Sequence, residues 1–505
     1  MPVSTVVRST PPRLPALVVT NKLYFGDNLV VLRESINDES VDLIYLDPPF
    51  NSHASYNLLF KTPKGHDSTA QIEAFDDTWH WGEQAEQEFA ELLHQSNTSV
   101  SEMMQALRRF LGENDMMAYL TMMCNRLLEL HRVLNPSGSL YLHCDPTASH
   151  YLKIVLDGVF DKENFRNEVI WSYKKWAVAE KKFSRNHDVI FFYAKSNEAR
   201  FNVLLQPRAA STLKRFGNKK IVSGHDENGV RTPSITLDED SSGVKMSDVW
   251  EIPIIAPSSS ERLGYPTQKP LALLERIIAA SSNEGGIVLD PFCGCGTAVH
   301  AAEKLKRQWV GIDITHLAIA LIEKRMHDGF PGIVFEVHGT PKDIGGASNL
   351  AERDKYQFQW WACSLINAQP FGGKKKGADS GIDGLIFFQH DAKQTGKIVV
   401  SVKGGENVGV AMIRDLGHVI EREKAAMGFF ITLAVPSRPM IVEAAGAGFY
   451  VSPITGARFP KLQILTVEGL LNGNEQARYP HLDAGGLTFK KAKREEVQPE
   501  QKMLL

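Results

Sequence analysis

From Lys22 onward, apolar residues come in short unbroken runs, separated by stretches in which they recur every three or four positions. KLYF (22–25) leads through Gly26-Asp27 into NLVVLRESI (28–36), and the polar turn NDES precedes VDLIYL (41–46). An unbroken run of strand formers predicts a strand covered on both faces, and the helical period predicts a helix lying on it. The rhythm returns in YLTMMCNRLLELHRVL (119–134), in SLYLHC (139–144) after Asn135-Pro136-Ser137-Gly138, and in HDVIFFYA (187–194). The expected fold is α/β, a parallel sheet between two layers of helices.

Between Phe201 and Arg262 the rhythm lapses into polar, Gly-rich sequence with no helical period, which predicts an inserted, loop-rich lobe. It resumes in PLALLERIIAASS, where Leu271, Leu274, Ile277 and Ile278 share one helix face. A strand at Ile287–Leu289, a helix at Thr297–Lys306 and a strand at Gln308–Ile312 follow. PKDIGGASNL (341–350) reads as a linker. The expected plan is a first domain over 1–340 with its lobe at 201–262, a smaller α/β domain over 351–475, and a polar tail over 476–505.

Composition adds limits. A chain of 505 residues can bury at least two cores. No apolar run reaches membrane-spanning length, and the first residues lack the apolar core of a signal peptide. Five scattered cysteines suit a reducing cytosol, so a cytoplasmic location with no membrane partner is expected. The formal charge of −3 does not mark a nucleic-acid binder, and basic clusters such as Lys174-Lys175, Lys181-Lys182 and Lys374-Lys375-Lys376 read first as solvated faces.

Two strand ends carry candidate chemistry. The run VDLIYL stops at Asp47-Pro48-Pro49-Phe50. A carboxylate there sits at the sheet's carboxyl edge, where open α/β sheets bind ligands, and two prolines fix φ and remove two amide donors. Asp47 and the Pro48 carbonyl then offer two fixed acceptors, with the Phe50 ring beside them, a set that suits a planar ligand bearing an exocyclic NH₂. At the second end, GGIVLDPFCGCGTAVHAAEKLKRQWVGIDIT, Asp290 precedes a glycine turn and Asp313 ends the next strand. Glycines admit close backbone approach and an acid there suits ribose hydroxyls, but Val299 replaces the third glycine of a dinucleotide site. Asp290 favours a cationic ligand over a phosphate. Cys293 and Cys295 have no second Cys or His pair at zinc spacing. Trp79 and Trp81 admit a lid, a DNA contact or plain packing.

DPPF together with DPFCGCGT resembles the S-adenosylmethionine-dependent DNA amino-methyltransferases, over roughly Lys22 to Gly339. Catalytic motif first, variable lobe next and cofactor motif last is an order similar to the β class, which includes type III modification subunits. LYFGDNLVVL and YPTQKPLALLERII resemble its flanking segments. The resemblance implies a Rossmann-like domain that methylates adenine N6 in double-stranded DNA, with the base flipped and stacked on Phe50. Asp47, Pro48, Pro49 and Phe50 would be catalytic. Asp290, Phe292, Cys293, Gly294 and Gly296 would form the cofactor loop, and Asp313 would bind the ribose. Asp27 would lie near the adenine of the cofactor, and Thr267, Gln268 and Lys269 near its methionine carboxylate. An acid at position 47 goes mostly with adenine, serine there mostly with cytosine; cytosine N4 is the alternative. A homodimer and a separate restriction subunit are partners the resemblance allows.

KKKGADSGIDGLIFFQHDAKQTGKIVVSVKGG resembles the core of Mrr-like restriction endonucleases in the PD-(D/E)xK group. That resemblance implies Asp383 as a Mg²⁺ ligand and Lys403 as the residue that positions or activates water. Ser401 departs from the family's Glu or Gln, and the upstream helix acid appears as Gln357; Glu406 or Asp379 would have to substitute. The alternatives are restriction coupled to modification, or a DNA-binding scaffold with an inactive nuclease domain.

Overall fold

The computed structural model describes residues 21–495 apart from 50–54, 62–66, 77–78, 96, 176–180, 182, 223, 225–229, 231, 233, 266, 372–380, 392–393 and 482–487, and only the backbone of 55–61 and 67–76. Phe50, Lys182, Lys374-Lys375-Lys376 and Asp379 lie outside the described residues.

The first domain is built on a nine-stranded sheet. From one edge its strands are Val249–Glu251, Phe165–Ser172, His187–Ala194, Leu134–Cys144, Val41–Leu46, Ile287–Asp290, Gln308–Asp313, Lys22–Phe25 and Glu336–His338. Val41–Leu46 shows why its sequence is apolar without interruption. Val41, Ile44 and Leu46 enter one core with the helices Asn28–Ser35 and Asp115–Val133, while Leu43 and Tyr45 enter a second core with Leu271–Ser281 and Thr297–Lys304. Each fully buried aliphatic or aromatic side chain contributes about 1.5–3 kcal/mol, so both faces hold the strand. Asp47-Pro48-Pro49 then ends it.

Three expectations are corrected here. The sheet is mixed, because His187–Ala194 runs antiparallel to both neighbours; an apolar run carries no record of strand direction. The strand expected at 139–144 begins at Leu134, with a register shift against Val41–Leu46. The lobe ends early, since Val249–Glu251 rejoins the main sheet alongside Phe165–Ser172. What remains of it is the helix Ala210–Phe216 and two small ribbons, Lys219–Val222 with Ile235–Asp240 and Leu205–Gln206 with Val244–Lys245.

The second domain has a five-stranded sheet in the order Gln369–Pro370, Gly384–Gln389, Thr395–Lys403, Met427–Thr432 and Leu462–Thr466. An antiparallel hairpin is followed by parallel strands. Ile398, Val400 and Val402 face one core and Val399 the other. The expected linker is instead a helix, Ile344–Arg353, capped by Asp343 and burying Ala347 and Leu350 in this domain's core. The expected tail is also anchored: Thr488 exchanges hydrogen bonds with the backbone of Phe387, and Glu495 pairs with His300 and Lys304 of the first domain at 3.0 and 3.3 Å. Among the described residues no helix is long and apolar enough to cross a membrane.

Candidate active site

Val41–Leu46 and Ile287–Asp290 are parallel neighbours, so the two Asp-Pro corners, 243 residues apart in the chain, meet at one sheet edge. Both open into a cavity of about 1120 Å³, lined also by Gly26, Asp27, Thr267, Lys269, Gly294 and Asp313. Single-ligand pockets span about 300–1,000 Å³, so this one has room beyond a single small molecule.

The glycine turn is shaped by positive φ at Gly294 (51°) and Gly296 (73°). A Cβ on Gly296 would come within 2.8 Å of Ile322, and one on Gly294 within 3.2 Å of Tyr265. Asp290 is 4% exposed and accepts from Phe292 N at 3.1 Å. Burial pushes its carboxyl well above the usual range, against the pull of that N–H, and the nearby Asp47 and Asp313 push it the same way. Asp313 accepts from Thr315 N, from Thr315 Oγ1 and, at 2.9 Å, from Gly294 N, which ties the two strand ends together. Burial still raises its carboxyl to about 6. Phe292 lines the cavity and Cys293 is buried in the turn, its N–H bonded to the Ile312 carbonyl. Asp27 caps the helix Asn28–Ser35 through Leu29 N and pairs with Arg126 at 3.0 Å.

At the other corner, Asp47 Oδ2 is bonded to the ammonium of Lys269, whereas Asp47 Oδ1 is buried and has no hydrogen-bond partner among the described residues. Lys269 thus ties its loop to the Asp47 corner. The Gln268 side chain accepts from Leu263 N and donates to the Glu261 carbonyl, both at 2.7 Å, and staples that loop, and both residues line the cavity. Thr267 lines the cavity, as do Pro48 and Pro49.

Sequence reasoning missed the support behind Asp47. His143 is fully buried with Nδ1 3.1 Å from Tyr45 Oη and 3.8 Å from Asp47 Oδ1, and its Nε2 is 3.2 Å from Asp188, which also accepts from Tyr173 Oη. Burial alone would raise the Asp188 carboxyl, but the His143 contact holds it below the ordinary value. Arg126 was missed too: it reaches both Asp27 and Asn28, and Asn28 in turn donates to the Pro291 carbonyl beside the glycine turn. The only signal was a polar residue inside an apolar run: His143 in SLYLHC, Asp188 in HDVIFFYA, Arg126 in its helix. Trp79 lines the cavity and packs against Tyr119, and Trp81 packs against Phe89 beneath Arg108.

In the second domain Asp383 is 8% exposed and already engaged. Its Oδ2 accepts from Val402 N at 2.6 Å and Ser401 Oγ at 3.4 Å, with Lys403 Nζ at 3.8 Å, and its Oδ1 accepts from Gln359 Nε2 at 3.0 Å. The glutamine in the helix-acid position is therefore Gln359; Gln357, two residues earlier, faces the first domain. Glu406 is exposed. Among the described residues no group of three His, Cys, Asp or Glu side chains is placed to hold a metal. Among the described residues Asp383 is a single carboxylate already met by protein donors, and a Mg²⁺ ion there would need further ligands.

A cavity shared by two acid-ended parallel strands, one with a glycine turn and the other with its carboxylate bonded to Lys269, suits an α/β enzyme that brings a ligand to a second reactant. Residues 41–324 match the family model described as DNA methylase, and the chain belongs to that family. Residues 350–462 match the restriction endonuclease model of the Mrr catalytic type, so a DNA methyltransferase domain is fused to an Mrr-type domain. The chain is similar to the type II methyltransferase M.EcaI of Enterobacter cloacae, 27% identical over 369 residues that cover 62% of this chain and 71% of that protein. It is also similar to the DNA adenine methyltransferase YhdJ of Escherichia coli (strain K12), 26% identical over 302 residues, 60% of this chain and 81% of that one. The solved M1.HpyAVI–SAM complex aligns with a TM-score of 0.33 at 16% identity, covering 60% of this chain and 98% of that chain.

Proposed function

We propose that this DNA methyltransferase transfers the methyl group of S-adenosylmethionine to N6 of adenine in double-stranded DNA, and that the Mrr-type domain does not cleave. The observation that carries the reading is Asp47 at the wall of the cavity shared with the Asp290 turn, held by Lys269 at Oδ2 and by buried His143 3.8 Å from Oδ1. The acid at position 47, which in the resembled families goes mostly with adenine, supports N6 over cytosine N4, as does the likeness to an enzyme named for adenine.

The residues fit the cofactor. Gly294 and Gly296 give the turn its positive φ and let it pack tightly on Tyr265 and Ile322, Asp290 suits a cationic group and Asp313 presents acceptors for hydroxyls. When bound, the cofactor supplies an electrophilic methyl group on a sulfonium centre. The chain's own residues do the rest. The Asp47 carboxylate accepts one N–H of the target amine and the Pro48 carbonyl accepts the other, which draws the nitrogen lone pair out of the ring. Lys269 fixes Asp47 through Oδ2, and the buried His143–Asp188 pair backs it. Positive charge growing on nitrogen meets an acceptor already in place, so stabilisation needs no reorganisation. Asp47 is then the base nearest the proton that the methylated amine must lose. Phe50, outside the described residues, is assigned to stack the flipped base by the resemblance alone.

Nucleoside analysis of duplex DNA treated with the purified full chain and S-adenosylmethionine tests the base assignment. N6-methyldeoxyadenosine is the expected product; N4-methyldeoxycytidine in its place overturns it.

A further inference from the structure

The second domain reaches into the cavity of the first. Its helix Lys355–Ser364 starts at Asp354, which caps it by accepting from Tyr356 N and Gln357 N. Gln357 and Gln359 stand two positions apart, about 200° around the helix axis, and so face opposite ways. Gln359 turns to Asp383, while Gln357 Oε1 accepts the backbone N–H of His316 in the first domain at 3.0 Å. Trp360 is 4% exposed and packs with Tyr265, Cys295, Leu317 and Leu321. Arg353, Asp354, Gln357 and Trp360 all line the cavity. Phe489, from the far end of the chain, packs against the same cluster.

His316 opens the helix His316–Gly329, and its N–H is among the four that a helix leaves unbonded at its start. Thr315 caps that helix through Ala318 N and binds Asp313 Oδ1 through both its own N–H and its hydroxyl. Gln357 thus fastens the residue next to the turn that sets Asp313, and Asp313 fastens Gly294 of the cofactor loop. We infer that the Mrr-type domain completes the methyl-donor site, with Gln357 as a positioning residue for the Asp313 turn and Trp360 as a wall behind the glycine turn. The inference rests on the S-adenosylmethionine reading above.

Calorimetric titration of the full chain with S-adenosylmethionine, together with steady-state methylation, tests it. Loss of one hydrogen bond in Gln357→Ala is expected to weaken donor binding about three- to tenfold. KM for the donor should rise in step while kcat stays within about twofold, because only ground-state positioning is lost. Gln357→Glu keeps an acceptor at a helix N-terminus, where negative charge is favoured, and should recover most of the loss. A merely structural Gln357 would not show this split and rescue. Unchanged binding in Gln357→Ala, or equal loss in Gln357→Glu, overturns the inference. Melting of the donor-free proteins reads folding separately; should Gln357→Ala unfold, Trp360→Phe carries the same test, with weaker donor binding expected and unchanged binding contradicting it. If the parent protein binds no S-adenosylmethionine, the donor reading itself falls, an outcome distinct from failure of the variants alone.

Discussion

Asp290 sits in a conflict that the ligand would settle. Burial raises its carboxyl well above the ordinary range, which favours the protonated form, whereas a bound ammonium or sulfonium favours the ionised one. The sign follows: below the raised pKa donor binding should release a proton, and binding should tighten as pH rises through it. Titration in buffers of different ionisation enthalpy measures that release; we expect it in the parent and not in Asp290→Asn, and a buffer-independent parent would contradict the assignment. The residues of this site were legible where they stood side by side, as in Asp47-Pro48-Pro49 and in Asp290 to Gly296. Their partners were not. Lys269 meets Asp47 across 222 positions and Arg126 meets Asp27 across 99, separations at which no local pattern records the contact.

Among elements, the central strands were readable because burial on two faces leaves a continuous apolar run, whereas Phe165–Ser172, half exposed, and the short edge strands were not; direction was not recorded either, so the antiparallel His187–Ala194 went unforeseen. The segment 341–350, read as a linker, holds most of the helix Ile344–Arg353; its two glycines are poor helix formers, but the Asp343 cap and the burial of Ala347 and Leu350 outweigh that preference. The lobe was legible as a break in rhythm. It leaves the core at Asn202, whose side chain binds the carbonyls of Ala279 and Ser282, and returns at Val249. Between them the strand Ile235–Asp240 is exposed along its whole length, and Lys219 and Lys220 beside it pair with its Asp238 and Glu239. We propose that this segment reads the DNA sequence, since base readout needs side chains free to enter a groove. Exchanging 203–248 for the lobe of a related enzyme should move methylation to a new motif, as modification-sensitive sequencing would record; an active chimera that keeps the old motif contradicts the proposal.

Over the whole molecule, two domains that read as separate in sequence share a helix, a cavity wall and an anchored carboxy-terminal segment. Among the described residues the Mrr-type centre holds one acid where metal-dependent cleavage needs more, with Gln359 and Ser401 at the flanking positions. Gln359→Glu combined with Ser401→Glu should therefore be required before any Mg²⁺-dependent nicking of plasmid DNA appears, and Lys403→Ala should remove it again. Nicking by the parent protein in Mg²⁺ would contradict the non-cleaving reading. The central claim rests on Asp47. Transfer of labelled methyl groups into duplex DNA by Asp47→Ala, measured beside its affinity for S-adenosylmethionine, tests that claim most directly. We expect a rate loss on the order of 10²–10³ from the missing acceptor, with donor affinity close to the parent's. Near-parent transfer by the folded variant would contradict the account.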